Sequence, residues 1–151
     1  MTILIQGVVA NSTVDLDGQV MDKNWLSHAM LRWDWKNTVV TRSYRHSGEA
    51  VGWITGVEYR PLDASWVATV MLNDGNTERL LETSTMGFGL VIQNPLVCRD
   101  PKAKGGRIKA GEIIHLMLVD EGFLYGPVTI LPARPELSFS EDTLTREDEG
   151  L

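Results

Sequence analysis

Short apolar runs, each ended by a turn signal, constrain the fold of this chain more than any other feature. Residues 3–10 (ILIQGVVA) are rich in β-branched side chains and predict a strand. Residues 51–59 and 66–72 predict a hairpin around the turn at Pro61–Ser65. The other predicted strands are equally short: 38–44, 87–92, one that begins after Pro95, and Ile113–Val119.

Only two stretches have helical spacing. Asp22 can cap a first helix, whose apolar face is formed by Trp25, Leu26, Ala29, Met30 and Trp33. Thr77 can cap a short second helix that runs to about Ser84. This balance predicts a strand-rich, α+β single domain, built as a small closed or half-closed β-barrel with about two flanking helices.

Composition is that of an ordinary globular protein. The chain has 151 residues, 43% of them hydrophobic and 23% charged, and no apolar run approaches the roughly 20 residues of a membrane span. Cys98 is the single cysteine, so no internal disulfide can form, and a reducing cytoplasm fits best. We expect a domain over residues 1–137 and an acidic C-terminal tail or arm over 138–151.

Charge argues against nucleic acid as a main partner, because the formal net charge is −6. A basic stretch interrupts this acidity around a predicted loop at 100–106, which is followed by a predicted turn at Ala110–Gly111. We interpret the stretch as a solvated loop rather than a specific nucleic-acid site. Its members are Arg99, Lys102, Lys104, Arg107 and Lys109.

Hydrolytic chemistry needs a nucleophile, a base and usually a group that orients the base. His46, in a predicted loop, could serve as the base, and His115, in a predicted strand, could orient it. The nucleophile is lacking. Each of the nearby hydroxyl and thiol residues is more simply a cap, a turn residue or a small core residue: Thr83, Ser84, Thr85 and Cys98. No metal or cofactor motif is present, so we expect none.

Four stretches, in order from about residue 6 to residue 120, resemble the prohead (capsid maturation) proteases of tailed phages. They are GVVANSTVDLDGQVMDKNWLSHAM, HSGEAVGWITGVE, ERLLETSTMGFGLVI and NPLVCRDPKAKGGRIKAGEIIHLMLVD. The family counterparts are a V-D-x-D-G turn before a W-L-x-x-A helix, a histidine before A-V-G, the strand G-F-S-I-G-I, and a G-R-I turn leading into G-E-I-V-E-V-S-L-V-D.

The resemblance implies a serine endopeptidase. Such enzymes are packaged inside the assembling procapsid, where they cleave the scaffold or the N-terminal segment of the capsid protein. Their fold resembles the herpesvirus assembly protease, a β-barrel with surrounding helices. The histidine matched by His46 would be the base, and the serine of G-F-S-I-G-I would be the nucleophile.

The chain departs from this pattern at the nucleophile. Gly87 and Phe88 match the family strand, but Gly89 stands where the serine belongs. His115 replaces the glutamate of E-V-S, and the herpesvirus enzymes suggest that a second histidine could be a third catalytic member. Loss of the serine costs on the order of a millionfold in rate where it has been measured.

Three functions are compatible with that pattern. The leading expectation is a pseudoprotease that serves as a minor capsid, decoration or stabilising protein of the virion, assembled in the cytoplasm of the host bacterium. It would bind the major capsid protein and other copies of itself, and no membrane. The alternatives are an active prohead protease with a relocated nucleophile at Ser84 or Thr85, and a scaffold-like pseudoprotease present only during assembly.

The region after Asp120 supplies the expected docking arms. Segment 121–137 is rich in Gly and Pro, and the tail over 138–151 is acidic. Their apolar side chains could bury against a partner, or could equally cover this domain's own sheet. These candidate interface residues are Phe123, Leu124, Tyr125, Ile130, Leu131 and Phe139.

Overall fold

Two long antiparallel hairpins make up most of the fold in the computed structural model, which describes residues 3–13, 15, 18–42, 49–121 and 123–132. The first pairs β4 (Ala50–Arg60) with β5 (Ser65–Leu72), as predicted, and the second pairs β6 (Gly87–Asp100) with β7 (Ala103–Val119). The other elements are short: β1 (Ile3–Asn11), β2 (Gln19–Met21), α1 (Lys23–Arg32), a 3₁₀ turn (Trp35–Asn37), β3 (Val39–Arg42), α2 (Gly75–Thr83) and β8 (Thr129–Ile130).

All eight strands belong to one mixed sheet. Its main path runs β7-β3-β4-β5-β1-β8, and β6 pairs with β7. Since β6 follows one edge of β7, β2 and β3 share the opposite edge, where both run parallel to β7. The strand-rich α+β domain with two helices is therefore confirmed.

The sheet is open, so the small barrel expected from the sequence is not confirmed. Among the described residues a single backbone bridge joins its two ends, where Pro127 pairs with Gly87 and the Val128 amide donates to the Met86 carbonyl at 2.8 Å. A closed barrel requires a continuous hydrogen-bonded ladder between its first and last strands. Within the described residues, β8 is too short to provide one.

One face of the sheet buries the core. Ile5, Val70, Leu72 and Leu116 are fully buried there, and α1 covers them with its apolar side. Burial of each such side chain stabilises the fold by about 1.5–3 kcal/mol before the entropy of ordering is subtracted. The opposite face, called the outer face below, includes the partly exposed side chains of Thr69, Met71, His115 and Met117.

Both helices are capped by aspartate. The Asp22 Oδ2 atom accepts a hydrogen bond from the Trp25 amide at 3.1 Å, as predicted for α1. For α2 the predicted cap, Thr77, is wrong, because Asp74 begins the helix. The Asp74 carboxylate accepts hydrogen bonds from the amide and the hydroxyl of Thr77 at 3.0 and 2.5 Å. A carboxylate is a stronger hydrogen-bond acceptor than the neutral threonine hydroxyl that was predicted to cap the helix.

The β6–β7 hairpin corrects three predictions. Pro95 does not end β6, and Ala110–Gly111 is not a turn, because the strands continue through these positions. The loop predicted over 100–106 is reduced to a two-residue turn at Pro101 and Lys102. Register shifts near Asn94 and Gly111, where φ is +51° and +138°, absorb the local irregularities. A β-bulge produces a turn-like sequence pattern without ending the strand.

Candidate functional site

The candidate site lies on the outer face, where β3 and β6 flank the second half of β7. His115 is half-buried on β7, and its Nε2 atom shares a hydrogen bond of 2.6 Å with the Thr41 Oγ1 atom of β3. Burial lowers the pKa of His115 from its usual 6.5. The imidazole is therefore neutral near pH 7, the form that can accept a proton.

Gly89 lies on the same face as this pair. It is the strand partner of Met117, and Val91 is the partner of His115. Strand alternation therefore places Gly89 diagonally across from His115, a relationship in which Cα atoms are about 7–8 Å apart in antiparallel sheets. Gly89 and His115, two of the positions singled out in the sequence, therefore lie on the same face of the β6–β7 pair.

There is open space at Gly89. A Cβ atom built on it would have the Met117 Cε atom as its nearest neighbour, at 3.6 Å. The glycine is consequently not required by close packing. This contrasts with Gly87, where a Cβ atom would lie 2.8 Å from the Gly126 carbonyl oxygen and would overlap the Phe123 side chain.

His46, the predicted base, lies outside the described residues, so its role remains a prediction. Its segment, 43–48, leaves β3 immediately after Arg42 and returns at Glu49. The Arg42 amide donates to the Glu49 carbonyl at 3.0 Å. Both ends of the segment are therefore joined next to Thr41, on the strand that contributes to the candidate site.

The other candidate nucleophiles lie far from His115. Ser84 ends α2, with its amide donating to the Leu80 carbonyl, and the strand that follows pairs Gly87 with Val119. Val119 is four residues from His115, roughly 13 Å along a strand. Cys98 is further away, since it pairs with Arg107, eight residues from His115 and roughly 25 Å along β7. Neither Ser84, the adjacent Thr85 nor Cys98 can share a hydrogen bond with this imidazole.

Thr41 is the site residue that sequence reasoning missed. Residues 38–44 predicted a strand, but only the parallel pairing of β3 with β7 places Thr41 beside His115. Parallel pairing between positions 76 residues apart, such as Val40 and Leu116, leaves no local sequence signal. The useful clue would have been that both residues alternate with core positions, Val40 and Leu116, that share a register.

The arrangement is half of a nucleophile-and-base constellation. A hydroxyl and a neutral imidazole are within hydrogen-bond distance, but in the described part of the chain no carboxylate contacts His115. The described residues also contain no cluster of three or more His, Cys, Asp or Glu that could hold a metal ion. None of the described helices has the length and apolarity to cross a membrane.

The predicted interface residues have different environments. Phe123 packs against Gly87, and Tyr125 packs against the core, where burial raises its pKa. Leu124 is half-buried, and the half-buried Leu131 donates its amide to the Leu4 carbonyl at 2.9 Å. Ile130 remains 46% exposed on β8, whereas Phe139 lies outside the described residues.

Comparison of the chain with protein-family models, with curated protein sequences and with solved structures gives no significant match.

Proposed function

We propose that this chain is a degenerate relative of the phage prohead proteases that has lost its catalytic serine and serves as a capsid-associated structural protein. One observation carries the proposal. Gly89, at the position of the serine, shares the outer face with His115, at the position of the third member, although 26 residues separate them in sequence. The resemblance assigns both positions to one site, and their shared face is compatible with that assignment.

Gly89 also explains why the proposed role is structural. Glycine has no side chain to attack a carbonyl, and Ser84, Thr85 and Cys98 lie too far from His115 to replace it. A protease already recruited into an assembling shell has a binding surface that survives the loss of its nucleophile. The open sheet, with its contact at Pro127, would then correspond to a half-closed form of the family barrel.

The proposed partners are the phage major capsid protein and other copies of this chain. Ile130 is the best-placed described contact, because its exposed apolar side chain lies on a two-residue edge strand. An exposed strand edge offers unpaired backbone groups to a partner. The segment after Pro132 would extend that contact.

Quantitative mass spectrometry of purified mature particles and of proheads tests this function. A structural role requires full-length chains in mature particles, at a copy number related to the capsid symmetry. Chains present in proheads alone would instead identify an assembly factor. Absence of the chain from both particles would refute a structural role.

An active protease remains a second candidate because of the Thr41–His115 contact. Threonine is a known nucleophile when a base is adjacent, and the 2.6 Å distance is within the range for proton transfer. In this case Thr41→Val should abolish cleavage of the capsid protein, while Ser84→Ala should leave it unchanged. An intact capsid N-terminus in particles that contain the wild-type chain would exclude this candidate.

A further inference from the structure

The β6–β7 hairpin ends in a strongly basic tip. Residues 99–109 contain five of the chain's 14 lysines and arginines. The one acidic residue among them, Asp100, binds Arg107 through its Oδ2 atom at 2.7 Å. The remaining cations are exposed and form no ion pair with another described residue: Arg99, Lys102, Lys104 and Lys109.

Exposed apolar side chains accompany these cations. Leu96 and Val97 are 55% and 44% exposed, although both are large and branched. An open groove of about 550 Å³ lies beside them, lined by residues 97–101 and 103–106, with Arg99 and Lys104 among its walls. We call it the hairpin groove. Its chemistry suits an extended ligand that is acidic and also has apolar side chains.

The C-terminal segment of this chain has that composition. Residues 138–151 contain five acidic residues and one arginine, so their net charge is −4, and they include Phe139 and Leu144. Residues 99–109 have five basic residues and one acidic residue, so their net charge is +4. The two charges are equal and opposite within a chain whose net charge is −6.

Residue 132, the last described residue before the C-terminal segment, and the hairpin groove lie at opposite ends of the sheet. Leu131 binds Leu4, so the chain passes residue 132 beside the start of β1. A row of strand partners crosses the sheet from that end of β1 to Leu116 of β7: Ile3, Leu72, Gly52, Val40 and Leu116. Ala103, at the hairpin tip, precedes Leu116 by 13 residues, which spans up to about 40 Å along β7.

We propose that the hairpin groove binds the acidic C-terminal segment of a second copy of this chain. Since the C-terminal segment follows residue 132, at the end of the sheet opposite the groove, a contact between two copies is head-to-tail and leaves one groove and one C-terminal segment free in a dimer. Such heterologous contacts generate rings or filaments. This inference is independent of the proposed capsid role, because it rests only on the charge and position of the two surfaces.

A nucleic-acid ligand fits the hairpin groove less well. No aromatic side chain lines it, so no platform for base stacking is present among the lining residues. The net charge of −6 would also repel phosphate beyond the immediate tip. Phosphate binding would also make no use of the exposed apolar side chains of Leu96 and Val97.

Two charge-reversed forms of the full chain test the proposal by sedimentation velocity. One form has Arg99→Glu and Lys104→Glu, and the other has Asp148→Lys and Glu149→Lys. We expect the wild type to self-associate at low ionic strength and to dissociate in about 0.5 M NaCl, where charges are screened within a few ångströms. Each reversed form alone should associate about tenfold more weakly or worse, since attraction becomes repulsion.

Mixing the two reversed forms is the decisive measurement. Their altered surfaces complement each other, so an equimolar mixture should recover the association that each form lost. A wild type that is monomeric at low salt, or a mixture that fails to recover, would overturn the proposal. Unchanged self-association together with loss of binding to a labelled single-stranded oligonucleotide would overturn it in favour of nucleic acid. Circular dichroism should show that both forms remain folded, because Arg99 and Lys104 are exposed.

Discussion

Gly89 faces Met117 across the β6–β7 pair, and the Cβ atom that the glycine lacks would lie 3.6 Å from the Met117 Cε atom. This is ordinary van der Waals distance, and the neighbour is the flexible end of a long side chain. The sheet therefore accepts a side chain at the position where the resemblance places a missing serine. Packing therefore does not require a glycine at this position.

A serine at position 89 should leave the fold intact. We expect the free energy of unfolding of Gly89→Ser to lie within about 1 kcal/mol of the wild-type value, because a strand glycine is replaced without a clash. Gly87→Ser is the matched control, two residues away on the same strand. It should lose about 1–3 kcal/mol, since its Cβ atom would overlap the Phe123 side chain.

Urea unfolding of both variants measures these differences. A Gly89→Ser chain as unstable as Gly87→Ser would contradict the open space described here. A fluorophosphonate probe can then test whether the new hydroxyl is activated. Labelling of Gly89→Ser that disappears in the double variant with His46→Ala would support the ancestry, since the resemblance assigns the base to His46.

The stability of the protein should fall in mild acid because of His115. Burial lowers its pKa in the folded state below 6.5, so the unfolded chain binds the extra proton more readily. The neutral imidazole therefore contributes stability above about pH 6.5, and this contribution is lost as the pH falls through the folded-state pKa. His115→Gln, which keeps a hydrogen-bonding group near Thr41, should lack this part of the pH dependence.

The measurement is the free energy of unfolding of both chains between about pH 7.5 and pH 5. All other ionisable groups are the same in both chains, so the difference isolates His115. A wild type that gains stability relative to the variant as the pH falls would refute the sign derived from its burial.

Removing the cap of α2 should destabilise the domain. Asp74→Ala should cost about 0.5–2 kcal/mol, because the buried Thr77 loses the acceptor for both its amide and its hydroxyl. Asp63→Ala is the control, since the described hydrogen bond at Asp63 uses its backbone carbonyl and not its carboxylate. The midpoint temperature of thermal unfolding should therefore fall for Asp74→Ala and hardly change for Asp63→Ala.

The same cap has a pH signature. The Thr77 hydroxyl, which donates to the Asp74 carboxylate, holds the pKa of that carboxyl below 3.8. Its stabilisation is present above the unfolded-state pKa and is lost as the pH falls through the folded-state value. The gap between wild type and Asp74→Ala should therefore narrow in strong acid, and a gap independent of pH would contradict this account.

Contact with a capsid partner should depend on Ile130. Ile130→Asp places a charge on the exposed edge strand and should reduce incorporation of the chain into particles, with little change in its own stability. Leu62→Asp is the control, because Leu62 is fully exposed in the β4–β5 turn. Equal incorporation of the two variants would remove Ile130 from the proposed interface.

Local patterns predicted the elements of this fold better than their connections. The hairpin of β4 and β5 and the cap at Asp22 follow from turn residues and helical spacing, which act over a few positions. Interpreting Pro95 and Gly111 as ends of strands failed because a bulge and a turn favour the same residues. The open sheet, like the Thr41–His115 contact, depends on pairing between distant strands, which hydrophobic periodicity does not encode.

The candidate site was predicted only in part, because one of its residues comes from a distant strand. The resemblance selected Gly89 and His115, and the register of β6 and β7 places them on one face. Their neighbour Thr41 has no motif, because it reaches the site through the parallel pairing of β3. Chemistry contributed by a third strand is therefore visible only once the sheet is assembled.

The bulges near Asn94 and Gly111 divide the long hairpin into two parts that can change independently. Pairing shifts are absorbed at these positions, so the register between Gly89 and Met117 is set without reference to the tip. Residues inserted or deleted beyond the bulges would lengthen or shorten the hairpin without turning site residues into the core. Relatives of this chain are thus expected to vary in length at the tip while they preserve the spacing from Gly87 to Val91 and from His115 to Val119.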